Sequence, residues 1–400
     1  MIWILIALMV LFAAPLAAQP VERPVTILIS IDGFRADYLD RPAAARLKAL
    51  ADGGARATMH PSFPSVTFPN HWTLVTGLRP DRNGIVANVM EDAGKPGMTF
   101  TMANNDPFWW SQSEPLWITA EKSGVRTATM FWPGSNVDFG GVRPRDWWTY
   151  AKDNSEAQRV DAVIDWLRRP AATRPQFVTL YFDTVDTIGH KFGPDSDKTN
   201  EAIGAVDRQV GRLVDGVAAL GVRANYVVVA DHGMAATSPD RVVKLWEIAR
   251  PKDFRTITGG TVAGMEPTKG RDSRLAKALL KPHPHMQCSR KGDLPPALHY
   301  GQNSRVPAFI CIAEIGWYIL TALPSANRPF EGGGAHGYDP ANREMDALFV
   351  ANGPAFRAGI ALPAFDNVDV YPLVAGLIGV TPRPSDGSAT VFAAALTNPR

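Results

Sequence analysis

Carboxylates and imidazoles follow three strongly apolar runs of this 400-residue chain. Asp32 follows VTILISI, Asp183 and Asp186 follow FVTLYF, and Asp231-His232 follows NYVVVA. Continuous apolar runs of this length predict parallel strands that are covered on both faces. Because ligands of such sheets bind beyond the carboxyl ends of the strands, the three strand ends predict one shared metal site.

The Asp186–His190 pair sets a carboxylate and an imidazole four residues apart. Gly189, Gly193 and Pro194 predict a loop here rather than a regular helix. Asp oxygens and His nitrogens are ordinary zinc ligands, although one such pair alone is weak evidence. Together with the other strand ends, the pair predicts two zinc ions, which can clamp the attacking and leaving oxygens of a phosphoryl centre.

The segment PSFPSVTFPNHWTLVTG contains the candidate nucleophile. Thr67 fits the N-cap of a short helix over 68–76, Pro69 fits its first turn and Gly77 predicts its end. Under one interpretation Thr67 only caps the helix. Under the other, its hydroxyl lies in the positive field of free N–H groups, and a neighbouring zinc lowers its pKa and makes it a nucleophile.

In this combination and order, the motifs resemble those of the nucleotide pyrophosphatase/phosphodiesterases of the alkaline phosphatase superfamily. The resemblance runs from ISIDGFR to the segment Asn352-Gly353-Pro354. It implies an alkaline phosphatase-like fold, two zinc ions and transient phosphorylation of Thr67. One implied zinc site comprises Asp32, Thr67, Asp231 and His232, and the other comprises Asp186, His190 and His336.

The same resemblance implies substrate contacts. Asn88, in NGIVAN, matches the asparagine that donates a hydrogen bond to a phosphoryl oxygen. Phe68 and Tyr150 match the aromatic pair that sandwiches a nucleobase in bacterial members. None of the site residues assigned from these motifs is an Arg, which favours a singly charged diester over a monoester dianion, because a dianion usually requires additional cationic contacts.

Strand-like and helix-like patterns alternate through the chain. Helical spacing of apolar residues covers 43–51, 115–122, 155–167 and 199–220, and further strands are predicted at 126–131 and 346–350. The alternation predicts an α/β fold with a mostly parallel central sheet between helical layers. The segment from about 238 to 334 interrupts it and predicts a smaller insertion or cap within one catalytic domain over 19–400.

The N-terminus predicts export. Residues 1–18 carry no charged side chain and end in small residues, which is typical of a signal peptide cleaved near Ala18 although no Lys or Arg precedes the apolar run. The alternative is an uncleaved anchor. Export favours a disulfide between Cys288 and Cys311 over two buried thiols and indicates a periplasmic or extracellular location.

The net charge of +2 gives no reason to expect a stable nucleic-acid complex, and after signal cleavage we expect no membrane or protein partner. We expect His60 and His71 to pack or to support the nucleophile segment, and His283 and His285 to lie in an exposed loop. Trp109-Trp110 and Trp147-Trp148 could line a groove, although such pairs more often belong to the core.

The sequence therefore predicts an exported, zinc-dependent phosphodiesterase acting on small nucleotide substrates. It would cleave phosphodiester or pyrophosphate bonds through phospho-Thr67 and release a nucleoside 5′-monophosphate. The enzymatic alternatives on the same frame are a phosphonoacetate-type or phosphomonoester hydrolase and a lipid-headgroup phosphodiesterase. A catalytically silent binding protein would be a different class, and the loss of a ligand or of the nucleophile would be its sign.

Overall fold

The computed structural model describes residues 23–323 and 330–398. The predicted signal peptide at 1–18 lies outside the described residues. No helix in the described part of the chain has the length and apolar character needed to cross a bilayer.

The strands of the described chain are two to seven residues long. In chain order they are β1 (Val25–Ile31), β2 (Ala55–His60), β3 (Met90–Glu91), β4 (Thr99–Phe100), β5 (Thr127–Met130), β6 (Asp146–Trp148), β7 (Phe177–Phe182), β8 (Ala224–Val229), β9 (Ala235–Thr237), β10 (Val242–Lys244), β11 (Phe254–Thr258), β12 (Val262–Pro267), β13 (Met286–Arg290), β14 (Phe309–Ala313), β15 (Tyr318–Leu320), β16 (Gly333–Ala335), β17 (Ala347–Asn352), β18 (Ile360–Ala361) and β19 (Phe365–Asp366).

The helices alternate with the strands of the first half of the chain. They are α1 (Ala45–Asp52), α2 (Thr67–Thr76), α3 (Pro80–Asn83), α4 (Pro107–Trp110), α5 (Leu116–Lys122), α6 (Glu156–Arg168), α7 (Thr184–Phe192), α8 (Asp197–Ala219), α9 (Leu245–Ile248), α10 (Asp272–Leu279) and α11 (Val370–Ile378). Short 3₁₀ turns span Ala36–Asp40, Pro42–Ala44, Pro251–Asp253, Lys291–Asp293, Pro296–Leu298, Arg343–Met345, Asn367–Asp369 and Thr390–Phe392.

One large mixed sheet forms the centre of the molecule. Its strand order is β18-β2-β17-β8-β1-β7-β5-β6, with β19 also paired to β2. The pairs from β8 through β6 are parallel, whereas β17 runs antiparallel to both β8 and β2. The predicted α/β fold with a mostly parallel sheet is therefore confirmed, with β17 as the reversed strand.

The central strands form because their apolar runs are buried along their whole length. Every residue of β1, β7 and β8 is buried, as expected for parallel strands that helices cover on both faces. The predicted bounds of β1 and β7 are confirmed, and the other predicted strands and helices differ from the structure by one to a few residues at their ends, as hydrogen-bond assignments commonly do.

A second, smaller sheet lies within the segment where we predicted a cap. Strands β11, β12, β14 and β13 form it in that order, all antiparallel. It has its own apolar core, which includes Met265, Leu275 and Phe309. Cys288 and Cys311 face each other across β13 and β14 and form a disulfide. The predicted cap bounds, about 238 to 334, stay a prediction.

The predicted loop at 186–190 is wrong. This segment belongs to helix α7, so Asp186 and His190 lie one turn apart on the same helix. Inside the helix, Gly189 leaves room for the Met234 side chain, which lies only 3.2 Å from where a Cβ would be. Gly193, with φ +87°, ends the helix. The glycines therefore mark close packing and a helix end.

Candidate active site

Three neighbouring strands deliver the carboxylates to one edge of the sheet. β1 lies between β7 and β8 and is parallel to both. Asp32 therefore follows the middle strand, Asp186 follows β7 in the first turn of α7, and Asp231 follows β8. This confirms the predicted meeting of the three strand ends.

Asp32, Asp231 and His232 form a fully buried group. The His232 Nε2 atom lies 2.9 Å from Asp231 Oδ2 and 3.4 Å from Asp32 Oδ1. Their three donor atoms all lie within 4.8 Å of one another, which is close enough to share one metal ion. The Gly33 N–H donates to Asp231 Oδ1 at 3.2 Å and fixes the second oxygen of that carboxylate.

Asp186, His190 and His336 form an adjoining group. Asp186 Oδ1 lies 3.5 Å from His190 Nε2 and 3.6 Å from His336 Nε2, and the two Nε2 atoms are 3.1 Å apart. The rings of His232 and His336 stack with centroids 3.6 Å apart. His232 also reaches this second group, since Asp186, His232 and His336 hold donor atoms within 4.8 Å of one another.

All three imidazoles turn the same nitrogen toward the cluster. Nδ1 of His190 is 2.8 Å from the Gly334 carbonyl, Nδ1 of His232 is 2.9 Å from the Gly233 carbonyl, and Nδ1 of His336 is 2.9 Å from the Ser65 carbonyl. A backbone carbonyl requires a proton on Nδ1, so each ring in its neutral form carries its electron pair on Nε2. Such anchoring is the usual support of metal-ligating histidines.

Each carboxylate also leaves one buried oxygen free. Among the described residues, Asp32 Oδ1, Asp186 Oδ1 and Asp231 Oδ2 have no hydrogen-bond partner. Buried polar atoms are normally paired, and unpaired anionic oxygens carry a large desolvation cost. The three oxygens face the three Nε2 atoms, so a set of oxygen and nitrogen donors converges on the same space. This donor set fits metal cations that accept both ligand types.

The pKa shifts that the protein groups cause in one another also indicate a site for a cation. Burial, with the charges of Asp231 and Asp186, raises the pKa of Asp32 well above its ordinary value. Burial, with neighbouring imidazoles, lowers the pKa of His336 well below its ordinary value. Burial opposes the ionised form of Asp231 as well, but His232 and His71 outweigh it and hold its pKa well below normal. A cation would stabilise every ionised carboxylate in this space.

Thr67 lies beside this cluster, but it does not cap its helix. Helix α2 begins at Thr67 itself, and its N-cap is Val66. The N-cap prediction is therefore wrong by one position. The Thr67 hydroxyl is within hydrogen-bond distance of His232 Nε2, 3.3 Å away. Gly77, with φ +66°, ends the helix as predicted.

Asn88 is held with its amide group in a defined orientation. Its Oδ1 accepts a hydrogen bond of 2.9 Å from the backbone N–H of Phe68, the residue after Thr67. The Nδ2 donors therefore remain for another acceptor next to the Thr67 hydroxyl. The contact also explains how a residue 20 positions along the chain reaches the nucleophile segment.

A cavity of about 380 Å³ opens beside the cluster, and Asp32, Thr67, Phe68, Tyr150 and Asp186 are among its lining residues. Phe68 packs against Phe100 and Trp110 on one side. Tyr150 packs against Phe131 and Tyr181 on another. The two rings therefore belong to separate aromatic groups on the walls of the same cavity. Of the described residues, none that lines this cavity is a Lys or Arg.

Two further side chains support the site: Tyr181, which we did not assign to it, and His71, which we expected to pack or to support the nucleophile segment. The Tyr181 hydroxyl donates to Asp32 Oδ2 at 2.6 Å, across the pairing of β1 with β7. His71 is fully buried, with its Nε2 2.8 Å from Ser30 Oγ and its Nδ1 3.4 Å from Asp231 Oδ2. The spacing of His71 four residues after Thr67 was the available signal, because it sets both on one helix face.

The remaining sequence candidates lie apart from the cluster or at its rim. His285 stacks on Trp317 and contacts Glu314, and its side chain is 41% exposed, as the loop interpretation predicted. Trp109 and Trp110 are buried. Trp110 and Trp148 also line the cavity, so both interpretations of the tryptophan pairs apply in part.

A mixed sheet between helices, whose strand ends carry a buried Asp/His cluster beside a threonine hydroxyl, defines a metal-dependent hydrolase of the alkaline phosphatase type. A sequence model of the type I phosphodiesterase / nucleotide pyrophosphatase family matches residues 26–339, and the chain belongs to this family. The family predicted from the motifs is thereby confirmed.

Curated relatives agree with this assignment. The chain is 35% identical over 385 residues to ectonucleotide pyrophosphatase/phosphodiesterase family member 1 of Mus musculus, covering 92% of this chain and 42% of that protein. It is 35% identical over 380 residues to bis(5'-adenosyl)-triphosphatase enpp4 of Xenopus laevis, covering 94% and 82%. The chain thus spans less than half the length of the mouse relative.

Solved structures show the same fold. Human ectonucleotide pyrophosphatase/phosphodiesterase 5 matches with a TM-score of 0.88 and 30% identity, covering 94% of this chain and 100% of that one. An inactive Thr-to-Ala variant of the murine protein, solved in complex with AMP, matches with a TM-score of 0.89 and 31% identity, with 94% and 100% coverage.

Proposed function

We propose that this chain is an exported nucleotide pyrophosphatase/phosphodiesterase that uses two zinc ions and a Thr67 nucleophile. It would hydrolyse phosphodiester or pyrophosphate bonds of nucleotides and release a nucleoside 5′-monophosphate. The observation that carries the proposal is the position of the Thr67 hydroxyl, which lies 3.3 Å from His232 Nε2 beside the carboxylate–imidazole cluster. The AMP complex of the murine relative supports a nucleotide as the substrate.

The donor set supports the assignment of ligands. Asp32, Thr67, Asp231 and His232 would hold one zinc ion, and Asp186, His190 and His336 the other. Bound there, zinc would polarise the phosphoryl group and lower the pKa of the Thr67 hydroxyl. His232 lies close to both groups of donor atoms, so loss of this side chain would affect both zinc sites.

In the first step the ionised Thr67 Oγ attacks phosphorus. A bond forms between Thr67 Oγ and phosphorus, and the bond from phosphorus to the leaving-group oxygen breaks. Thr67 then carries a phosphate diester that still holds the nucleoside. Asn88 Nδ2 donates to a phosphoryl oxygen, and its orientation is already set because Asn88 Oδ1 is bonded to the Phe68 N–H.

In the second step water attacks the same phosphorus. The bond to Thr67 Oγ breaks, Thr67 regains its proton, and the nucleoside 5′-monophosphate leaves. Two successive displacements on one phosphorus replace a single difficult attack by water, which is the usual advantage of a covalent intermediate.

The cavity supports a nucleoside with one negative charge on the phosphate. Phe68 and Tyr150 stand on separate walls, so a planar base can enter between them. Two zinc ions would balance three aspartates and the Thr67 oxyanion. Since the described lining offers no Lys or Arg, a second substrate charge would lack a partner. This favours diesters and pyrophosphates over monoesters.

The Cys288–Cys311 disulfide and the apolar residues 1–18 support export. The ecto- prefix in the names of several relatives agrees with a location outside the cytosol. The periplasmic or extracellular assignment remains part of this proposal.

A substrate panel with purified, zinc-loaded protein tests the function. It should compare the 4-nitrophenyl ester of a nucleoside 5′-phosphate, a dinucleoside triphosphate, 4-nitrophenyl phosphate, phosphonoacetate and a phosphocholine lipid. We expect the highest kcat/KM for the nucleotide substrates, with nucleoside 5′-monophosphate as the product. A Thr67→Ala preparation made in parallel controls for contaminating phosphatases. A higher kcat/KM for the monoester than for the matched diester would instead indicate a phosphatase.

A further inference from the structure

Tyr150 lies in a segment that is neither helix nor strand. The segment connects β6 to α6 and has no regular backbone pattern around Tyr150. The residue is 47% exposed on the wall of the cavity. A ring in such a position can adopt several rotamers, and ordering it upon ligand binding lowers affinity. Its orientation therefore depends on contacts made by the side chain itself.

Asp183 makes the polar contact. Its Oδ2 accepts a 3.0 Å hydrogen bond from the Tyr150 hydroxyl, and its Oδ1 accepts a 2.7 Å hydrogen bond from Arg159 Nη1. The Arg159 side chain is only 3% exposed, and its guanidinium also donates to the Tyr181 and Asn154 carbonyls. Burial and the charge of Asp183 raise the pKa of Tyr150 to about 12, which keeps the phenol protonated as a donor.

Asp183 does not perform the ordinary task of its position. It is the N-cap residue of α7, where an aspartate usually accepts a hydrogen bond from a backbone N–H of the first turn. Its side chain makes no such capping bond. Both carboxylate oxygens are directed instead to Arg159 and Tyr150, so a helix-capping role does not account for this residue.

Phe131 completes the support of the ring. Its centroid lies 5.4 Å from that of Tyr150 in an edge-to-face arrangement, and Arg159 lies 4.8 Å from the Phe131 centroid. Phe131 has φ +63°, a conformation that bulky residues rarely adopt. Backbone strain of this kind concentrates at ligand-binding sites, where the surrounding structure enforces it.

We propose that Asp183, anchored by Arg159, is a positioning residue that holds the Tyr150 ring in place and thereby sets selectivity for nucleotides over diesters without a base. The inference rests on the proposed function, because it assigns the Tyr150 wall to the base. The end of β7 would then serve both parts of the site, since Tyr181 contacts Asp32 and Asp183 contacts Tyr150.

A double-mutant cycle tests the inference. Tyr150→Phe, Asp183→Ala and the double variant are compared on the 4-nitrophenyl ester of a nucleoside 5′-phosphate and on methyl 4-nitrophenyl phosphate. We expect each single variant to lose about tenfold in kcat/KM on the nucleotide ester through a higher KM, because a hydrogen bond to a charged acceptor is broken. The ratio of kcat/KM for the nucleotide ester to kcat/KM for the methyl ester should therefore fall about tenfold, and the double variant should lose no more than the worse single variant.

Two controls separate positioning from folding. Tyr150→Phe keeps the Arg159–Asp183 ion pair, so it tests the inference even if Asp183→Ala unfolds. Asp161→Ala removes an exposed partner of Arg212 on the same helix as Arg159 and should leave selectivity unchanged.

The outcomes distinguish this inference from the proposed function. Equal losses on both esters, additive losses in the double variant, or no loss with Tyr150→Phe would overturn the positioning role. In each case wild-type preference for the nucleotide ester would leave the proposed function standing. A wild-type enzyme with no preference for the nucleotide ester would overturn both.

Discussion

Backbone carbonyls hold the three histidines of the site in the orientation that metal binding requires. Gly334, Gly233 and Ser65 each accept from one Nδ1, and each belongs to a different segment of the chain. Because these segments are fixed by the fold, all Nε2 atoms are oriented before any ligand arrives. Preorganisation of this kind lowers the cost of assembling a metal site.

Metal content should follow individual ligands. We expect two zinc ions per wild-type chain by elemental analysis and loss of activity upon chelation. Asp186→Ala should lower the content to about one ion, because it removes a carboxylate from one site only. Asp195→Ala, which removes an exposed carboxylate paired with Arg41, should leave two. Active protein without any bound transition metal would refute the site.

At this scale the sequence predicted the types of residue better than their exact roles. Asp32, Asp186 and Asp231 could be found because each follows an apolar strand. Tyr181 could not be assigned, because its contact with Asp32 depends on β1 pairing with β7, and strand order is not written locally in either strand. Thr67 was placed one residue outside the helix because capping preference alone does not register a neighbouring cluster.

The sequence predicted some helices and strands better than others. Apolar runs predicted β1 and β7 correctly because full burial leaves an unambiguous pattern. The same reasoning failed at α7, where local glycine propensity favoured a loop. The segment is a helix because tertiary packing outweighs this propensity. The Met234 side chain lies against Gly189, in space that a Cβ would crowd. Propensity is a weak prior that tertiary contacts override.

His60 joins the end of β2 to the start of β17, and this link should depend on pH. Its hydrogen bond to Asp346, 2.9 Å long, raises the pKa of His60. The pair therefore stabilises the fold fully below the unfolded-state pKa of about 6.5 and loses this contribution as pH rises through the folded-state value. Because the His60 side chain is 40% exposed, the contribution stays below about 1 kcal/mol.

Denaturant unfolding of His60→Gln at acidic and alkaline pH checks this link. The variant should lose a few tenths of a kcal/mol relative to wild type at about pH 5.5 and less at about pH 8.5. His283→Gln, which removes a histidine bonded to the Ala278 carbonyl, is measured in parallel as the control for the loss of an imidazole. A destabilisation that grows with pH would contradict the assigned ion pair.

In the whole molecule, the connection between β13 and β14 supports the segment that carries Asn88. The Tyr300 hydroxyl donates to the Val86 carbonyl at 2.9 Å. Arg305 is buried and donates to Asp92 and to the Gly84 and Trp109 carbonyls. These long-range contacts fix the segment from Gly84 to Asp92, which includes Asn88. They could not be predicted from sequence, because nothing near Tyr300 or Arg305 identifies partners some two hundred residues away.

The disulfide should matter for stability rather than for chemistry. It closes a loop between residues 23 positions apart, within the second sheet. The double variant Cys288→Ala/Cys311→Ala should therefore lose about 3 kcal/mol of unfolding free energy by the chain-entropy relation. Its kcat/KM and zinc content should match wild type at a temperature where both are folded. A reducing agent should destabilise wild type but not the variant, and the opposite pattern would contradict the stabilising role.

The central claim is that Thr67 is the nucleophile, and a search for the covalent intermediate tests it most directly. Wild-type protein is quenched in acid during turnover of the nucleotide 4-nitrophenyl ester, digested and examined by mass spectrometry. We predict a nucleotidyl group on Thr67 in wild type and no adduct in Thr67→Ala. Because Thr67 is not the N-cap of α2, and Asp32, Asp231 and His232 remain as ligands, Thr67→Ala should retain its fold and metal while losing turnover. Near-native turnover by Thr67→Ala, or an adduct on another residue, would contradict the account.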